Sequence, residues 1–438
     1  MKLAEDAQSL LPPGNTSPGL SVNKSYYAAA GKGLGVFSTI LFVIGEMAGG
    51  GVLSLPYGVY QMGWIGSVMV VVIALVSGYT GVLLGRCWQF LLRQWPEDYA
   101  SEHVRDPYPS IGERAAGRWA RITVSWLINV TLFAVSTVFL LLLALNLQCL
   151  FAHSLQYRYW VLIIGAVLIP MNLLESPKDA WWVAAIATGA TSIAVVTVII
   201  LLLLNGENPT ATAASPTFES FVLGVATVAF AFGGHASFPT YQHDMADTSK
   251  FGVAVIIGYV VILAMYIPVS TIGSQYLKGD TSGNILANLH AKSPGVNHAV
   301  TAVTWLFNIH ILFGYVLVSN PVSQDIERLL NLPQKFGLPR VILRTVQVIL
   351  SIAVAVGVPC FTKILSLIGG TTVMLLSYIF PALFFLQLAA QLKYHVPLHE
   401  LVINYLIIGV SFLMMGATIY SALQGFIKEG CKYPKGCH

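Results

Sequence analysis

Three ionisable side chains lie within segments of the chain that are otherwise apolar: Glu46, His235 and His310. Glu46 is the only carboxylate away from the ends of these segments. A low dielectric favours the neutral form of a carboxyl group, so Glu46 is a candidate to take up and release a proton. Two other roles stay open for it: a counter-charge to a ligand ammonium, and a neutral acid that donates one hydrogen bond between helices.

His235 and His310 are further candidates for proton or ion coupling, because an imidazole titrates near physiological pH. A lone histidine in an apolar helix is more often a hydrogen-bonded structural residue. That alternative stays open for both.

Glu46 and His235 each lie in a glycine-rich run, 45–51 and 232–239, and Pro56 and Pro239 follow or end these runs. Glycine in a helix interior costs about 1 kcal/mol and proline about 3 kcal/mol. Unwound backbone at membrane depth is tolerated only where it is buried in protein or lines a cavity. The two runs therefore predict interrupted helices that leave backbone N–H and C=O groups for a ligand.

The predicted ligand-binding residues come from both runs. They are Glu46, Met47, Gly49, Gly50, Gly51, Phe232, Gly233, Gly234, His235 and Phe238. The alternative is that the small residues only allow two helices to pack closely.

The composition places most of the chain in lipid. Of 438 residues, 56% are apolar and 10% are charged, whereas soluble domains have about 45–50% and about 25%. Disorder, a coiled coil and a secreted disulfide scaffold are excluded. The net charge of +4 is small and spread along the chain, which excludes nucleic acid as a partner.

The positions of the apolar runs predict an all-α membrane protein. A bilayer core of about 30 Å requires about 20 apolar residues per helix. Eleven segments qualify as spans 1–11: 34–61, 64–91, 121–152, 158–174, 179–205, 219–245, 251–274, 297–330, 340–358, 362–390 and 401–426. A cytoplasmic N-terminus assigns 16 of the 23 Lys and Arg residues to the cytoplasm and 7 to the other side, which predicts that orientation.

These spans divide the chain into a cytoplasmic tail (1–32), a membrane domain (33–426) and a short non-cytoplasmic tail (427–438). The interruptions fall in the first and sixth spans, so we predict two inverted repeats, about 34–205 and 219–390, and an extra helix, about 401–426. The segment 285–289 is either an external lid or a solvated loop.

The cysteines predict no metal site, because none of the five is spaced with histidine as a zinc ligand set. Cys431 and Cys437 either form a disulfide or stay as free thiols on the tail.

Four motifs carry a resemblance to a known family. They are Phe232-Gly-Gly-His-Ala-Ser-Phe-Pro-Thr-Tyr-Gln-His-Asp-Met245, Gly49-Gly-Gly-Val-Leu-Ser-Leu-Pro56, Asn320-Pro-Val-Ser-Gln324 and Ser366-Leu-Ile-Gly-Gly-Thr371. The first string resembles the helix-6 signature of the amino acid/auxin permease family, and the others are similar to its signatures in helices 1, 8 and 10. The resemblance spans about 33–425, although Glu46 departs from the small or apolar residue that members commonly carry there.

This resemblance implies a leucine transporter-like fold of 5+5 inverted repeats with an eleventh helix, and amino acid transport that is often proton symport. We therefore expect secondary active transport of small neutral amino acids by alternating access, with H⁺ or Na⁺ as the coupling ion and no cofactor. The alternatives are transport of another small organic solute and a membrane-embedded acyltransferase that uses Asn308 and His310. The expected location is the plasma membrane or an endosomal, lysosomal or vesicle membrane.

Overall fold

A computed structural model describes residues 33–100, 104, 106–151, 155–173, 181–205, 215–276, 283–292, 297–332 and 337–431. The predicted N-terminal tail lies outside these residues, as do all but the first residues of the C-terminal tail. The described chain is helical. It contains seven helical stretches long and apolar enough to cross a membrane and four shorter apolar helices. The count of eleven spans and the inverted repeat stay predictions.

The helices follow one another with short connections. Their bounds are α1 Val36–Met47, α2 Gly50–Met62, α3 Gly66–Gln94, α4 Pro96–Tyr99, α5 Pro107–Ala116, α6 Arg118–Leu150, α7 Tyr157–Asn172, α8 Trp181–Asn205, α9 Phe218–Ala231, α10 Phe238–His243, α11 Phe251–Tyr276, α12 Ile285–Lys292, α13 Asn297–Leu329, α14 Leu338–Gly357, α15 Phe361–Gly370, α16 Phe380–Gln391 and α17 Leu398–Glu429.

Both predicted interruptions are present. The first span is divided into α1 and α2 at Ala48 and Gly49, where Gly49 has a non-helical ψ of −137°. The sixth span is divided into α9 and α10 by residues 232–237, and Pro239 lies in the first turn of α10. Proline is compatible with a helix start because the first N–H groups have no intrahelical partner. Glycine and proline thus place the two breaks where the sequence predicts them.

The span predicted over 362–390 coincides with a helical stretch over Phe361–Gln391 that is long and apolar enough to cross a membrane, but this stretch is irregular in its middle. Helix α15 ends at Gly370, Thr371 has non-helical φ and ψ of −120° and −85°, and a π-helical turn follows over Met374–Ile379. A π turn leaves a carbonyl without its usual helical partner. The Tyr108 hydroxyl of α5 donates to the Leu376 oxygen at 2.5 Å, so an adjacent side chain compensates for the irregularity.

The bundle has two ends, which we name by the contacts made there. At the proximal face, where Val36, Gln94 and Arg118 lie, the Leu34 amide donates to the Asp244 oxygen at 2.8 Å. At the distal face, the Ser220 hydroxyl of α9 donates to the Gln61 oxygen of α2 at 3.0 Å.

The interrupted helices pack together on one side of the bundle. Helix α9 packs against α2, and α11 packs against α1, α2 and α3. On the other side, α6 packs along α13 and against α5. The break between α1 and α2 faces α6 and α13, because a Cβ atom at Gly49 would lie 3.2 Å from Phe139 Cζ and 3.8 Å from His310 Nε2.

Helix α12 covers the distal end of this interior. Ile285, Leu286 and Leu289 are buried, and the helix contacts α2, α6 and α13. The alternative of a solvated loop at 285–289 is thus wrong, because an apolar face of this segment is packed.

Three buried asparagines join α12 to the bundle. The Asn284 side-chain amide donates to Asn146 Oδ1 of α6 at 2.7 Å, and the Asn146 amide donates to Asn308 Oδ1 of α13 at 2.7 Å. We call these three residues the asparagine chain. It supplies polar contacts where the surrounding packing is apolar, because buried amides require partners.

A disulfide fastens the end of α17 to the bundle, and it is not the pair considered from the sequence. Cys431 is bonded to Cys360, which precedes α15 and lies 71 residues earlier in the chain. The two predictions for Cys431, a bond to Cys437 or a free thiol, are therefore wrong. Helix α17, to whose end this bond is attached, continues to Glu429 and so extends past the predicted end at 426. The spacing of cysteines in the tail carried no information about a partner at the start of a distant helix.

Candidate functional site

A cavity of about 1260 Å³ extends from the two breaks to the proximal face. Near the breaks it is lined by Glu46 and Gly49–Gly51 from one side and by His310 from α13. At the proximal face it is lined by Asp106 and Arg328. The site is therefore reached from one side of the bundle, since α12 covers the other side.

Glu46 lies on the cavity wall near the end of α1 and is held by α10 and the residue before it. The Ser237 hydroxyl donates to Glu46 Oε1 at 2.9 Å, and the Tyr241 hydroxyl donates to Glu46 Oε2 at 2.7 Å. Both hydroxyl groups donate hydrogen bonds to the carboxyl group, and together they hold it in one orientation. The acid thus connects the two interrupted helices on the proximal side of their breaks.

The N-terminus of α2 faces the cavity. Helix α2 begins at Gly50 with no side-chain cap, and Gly49, Gly50 and Gly51 all line the cavity. The first N–H groups of a helix have no intrahelical acceptor, and the helix dipole gives this end a partial positive charge. The arrangement suits an anionic group such as a carboxylate.

Gly51 also has a packing role. A Cβ atom there would lie 2.8 Å from the Ala231 Cα of α9, which is backbone. The close-packing alternative therefore describes Gly51 well, whereas Gly49 and Gly50 face side chains of α6.

The carbonyl groups released by the breaks are bound by hydroxyl groups of neighbouring helices. The Tyr266 hydroxyl of α11 donates to the Met47 oxygen at 2.6 Å and lies 3.3 Å from the Ala231 oxygen. Ser77 of α3 and Tyr259 of α11 both donate to the Phe232 oxygen, at 3.0 and 3.1 Å. Tyr266 thus touches both breaks, and these carbonyls are not left for a ligand.

His235 lies behind the cavity wall, fully buried against α3. Its Nε2 atom is 3.1 Å from the Ser77 carbonyl oxygen and 3.2 Å from Thr80 Oγ1, so this nitrogen is the donor. The ring also stacks on Phe238 at 4.9 Å. These contacts match the structural alternative for His235.

The predicted ligand-binding residues fall into two groups. Glu46, Met47, Gly49, Gly50, Gly51 and Gly233 line the cavity, as does His310. Phe232, Gly234, His235 and Phe238 are buried and do not line it. Their assignment to a ligand stays a prediction, and the geometry places them in the support of the helix-6 break.

Ion pairs surround the proximal end of the cavity. Arg328 bridges Asp106 at 2.6 Å and Asp325 at 2.9 Å. The neighbouring Glu327 is buried and pairs with Arg344 at 2.8 Å. The partners of Glu327 on α14 therefore keep water away from this carboxylate. These pairs connect α13 to α14 and to the segment before α5.

Sequence reasoning missed the hydroxyl residues that support the site. Ser237 and Tyr241 are four residues apart, a spacing that puts both on one face of a helix. Tyr259 and Tyr266 are seven residues apart and likewise share a face. The spacing was a usable signal in both pairs, but nothing in the sequence identified Glu46 and the break carbonyls as their partners.

Comparison with protein families agrees with this geometry. A family model described as transmembrane amino acid transporter protein matches residues 32–424. A relative, amino acid transporter AVT1B of Arabidopsis thaliana, is 25% identical over 402 residues, which cover 89% of this chain and 71% of the relative. Amino acid transporter AVT3C of the same organism is 27% identical over 374 residues, 80% of this chain and 82% of the relative.

Among solved structures, the fold is similar to one described as the inward facing conformation of Mhp1. The TM-score is 0.55 at 14% sequence identity, and the match covers 90% of this chain and 89% of the other. At this identity the likeness shows the fold.

Proposed function

The chain belongs to the family of transmembrane amino acid transporters, and from this premise we propose that it carries small neutral amino acids by alternating access. Transport by this chain is secondary active, driven by an ion gradient. The family is one of transporters and not of enzymes, so the acyltransferase alternative is not retained.

One observation carries this proposal: the uncapped N-terminus of α2 and the carboxyl group of Glu46 line the same cavity. A zwitterion has an anionic and a cationic end. The carboxylate of an amino acid binds the N–H groups of Gly50 and Gly51, and its ammonium group lies towards Glu46. Both of these binding groups lie next to a helix break. A movement of the half-helices therefore changes the geometry of the substrate site.

Glu46 is the proposed proton carrier. A carboxyl group held by two hydroxyl groups between α1 and α10 senses any movement of these half-helices, because their separation breaks its hydrogen bonds. Protonation removes its charge and the attraction for the substrate ammonium. Proton binding and substrate binding are therefore coupled at one residue.

We further propose that the proximal face is cytoplasmic. The Lys and Arg bias of the predicted loops supports this orientation. The cavity then opens to the cytoplasm while α12 covers the site on the other side. Eleven spans in two inverted repeats and an extra helix complete the proposed topology.

Uptake by purified protein in proteoliposomes tests the function. A panel of labelled amino acids is supplied with and without a pH gradient, and in parallel with a Na⁺ gradient. We expect saturable accumulation of small neutral amino acids that a proton gradient stimulates and that unlabelled substrate exchanges. Accumulation of another organic solute with no amino acid uptake contradicts the proposed substrate class.

Two glycine variants make this test specific to the break. A Cβ atom at Gly50 would lie 2.7 Å from Leu142 Cδ1. A Cβ atom at Gly409 on α17 would have no neighbouring atom of the described residues within 4 Å. Gly50→Val should abolish uptake at normal membrane abundance, and Gly409→Val should retain it. Normal uptake by Gly50→Val would reject the helix-1 break as the substrate site.

A further inference from the structure

The distal end of the cavity is closed by one aromatic ring. On α6 the cavity-lining residues are Ser125, Ile128, Thr131, Leu132, Val135 and Phe139, which share one face of the helix. The next residues of α6 in the distal direction, Leu142 and Leu143, are buried and do not line the cavity. Phe139 therefore forms the distal wall of the cavity, at the level of the helix-1 break.

Three glycines make the slot that the Phe139 ring occupies. A Cβ atom at Gly49 would lie 3.2 Å from Cζ of this ring, and one at Gly50 would lie 3.3 Å from Cε1. On the opposite edge, a Cβ atom at Gly314 of α13 would lie 3.0 Å from Cε2. The ring thus fills the gap between the break and α13, and a side chain at any of these positions would press against it.

The ring has no space to withdraw in the distal direction. Leu142 lies one turn further along α6 and is fully buried. Its Cδ1 atom comes within 2.7 Å of a Cβ atom built on Gly50, so the layer behind the ring is filled. Beyond it, Asn146 is bonded to Asn284 and Asn308. A ligand on the proximal side of the Phe139 ring therefore contacts a ring that packed residues support from the distal side.

We infer that Phe139 sets the upper size limit of the substrate side chain and restricts the substrate to amino acids with small, uncharged side chains. The inference rests on the proposed function, in which the substrate carboxylate binds the N–H groups of Gly50 and Gly51. The ring lies against Gly50, so the α-carbon of that substrate lies beside the ring and its side chain points at an apolar wall. Leu132 and Val135 continue this wall and offer no charged partner.

The test measures substrate preference instead of activity alone. Vmax/KM is determined for alanine and for leucine in proteoliposomes that contain wild type, Phe139→Ala, Phe139→Leu or Leu140→Ala. We expect the leucine-to-alanine ratio to rise by about tenfold or more in Phe139→Ala and by less in Phe139→Leu, since a few methylene groups in a pocket change selectivity by this order. Leu140→Ala is the matched control, because Leu140 is buried on the same helix but does not line the cavity.

A purely structural role of Phe139 lowers abundance or uptake of both amino acids and leaves their ratio unchanged. An unchanged ratio in both Phe139 variants, with wild-type alanine uptake intact, overturns the inference while the proposed function stands. A ratio that rises equally in Leu140→Ala also overturns it, since loosened packing then explains the change. Wild type that accumulates no amino acid overturns the proposed function and the inference together.

Discussion

At the scale of single residues, the site is built from one acid and a set of hydroxyl groups. Glu46 is the residue whose type alone predicted a role, because a carboxyl group in an apolar segment is costly without a function or a partner. Its partners Ser237 and Tyr241 show how the cost is offset, with one hydrogen bond to each oxygen. A neutral amide of the same shape loses the titration and the negative charge, and one of the two hydroxyl groups must then accept from the amide N–H instead of donating.

We therefore expect Glu46→Gln to flatten the pH dependence of uptake. Wild type should accumulate more substrate when the receiving compartment is acidic, because protonation of Glu46 there removes its attraction for the substrate ammonium and releases the substrate. The variant should show equal uptake with and without the gradient. Asp325→Asn is the control, since Asp325 lines the same cavity at its proximal end. Persisting pH-dependent uptake in Glu46→Gln would remove Glu46 as the proton carrier.

Tyr266 provides a second prediction at this scale. Tyr266→Phe leaves the Met47 and Ala231 oxygens without this donor, and a buried unsatisfied group costs about 1–3 kcal/mol. The substrate KM should rise by about tenfold, because the two breaks lose their common contact.

The matched variant for that prediction is Tyr259→Phe. Ser77 still donates to the Phe232 oxygen when the Tyr259 hydroxyl is absent, so its KM should change less. Equal KM increases in both variants would show that Tyr266 has no special role in joining the breaks. The thermal stability of both detergent-solubilised variants is measured in parallel. A KM increase in protein that is still folded at the assay temperature separates site geometry from general unfolding.

At the scale of helices, the structure closes one end of the cavity with α12 and leaves the other open. The asparagine chain is the polar part of this closure, and the buried face of α12 is its apolar part. An amide chain of this kind is directional, so its hydrogen bonds form only when α6, α12 and α13 are close together. The distal side can open only if these bonds are broken or replaced by water.

Asn284→Ala should therefore raise the population in which the distal side is open. A cysteine introduced at Leu142, which is fully buried, reports this state through labelling by a membrane-impermeant thiol reagent. We expect several-fold faster labelling in Asn284→Ala than in the Leu142→Cys background. Asn129→Ala is the control, because its amide donates to Asp325 at the proximal end. Equal labelling rates in all three proteins would contradict a closing role for the asparagine chain.

At the scale of the whole molecule, the two ends of the bundle differ in chemistry. Most ion pairs of the described chain lie at the proximal end, among them Arg86–Glu400 and Arg328–Asp106. The disulfide between Cys360 and Cys431 lies at the other end. Disulfides persist in oxidising compartments, so this bond agrees with a distal face outside the cytosol.

Peptide mapping tests this assignment. Protein isolated from membranes with its thiols blocked should give a peptide pair that joins Cys360 to Cys431 and disappears on reduction. The double variant Cys360→Ser, Cys431→Ser should lose the pair and show a lower Tm, because the bond closes a loop of 71 residues. Cys87, which is buried and free, is the internal control for thiol blocking after unfolding. Free thiols at both positions would place the distal face in a reducing compartment.

The sequence alone determined the class of the protein, the position of both helix breaks and the acid beside the first break. These properties are local: apolar length sets a membrane span, and consecutive glycines weaken a helix wherever the segment is placed. Only the tertiary structure decided what Glu46, Tyr266 and Cys431 contact, because their partners are far away in the chain. It likewise separated Gly49 and Gly50, which face Phe139, from Gly51, which packs on α9. Identical residues in one run differ in role because each points to a different neighbour, and neighbours are set by packing.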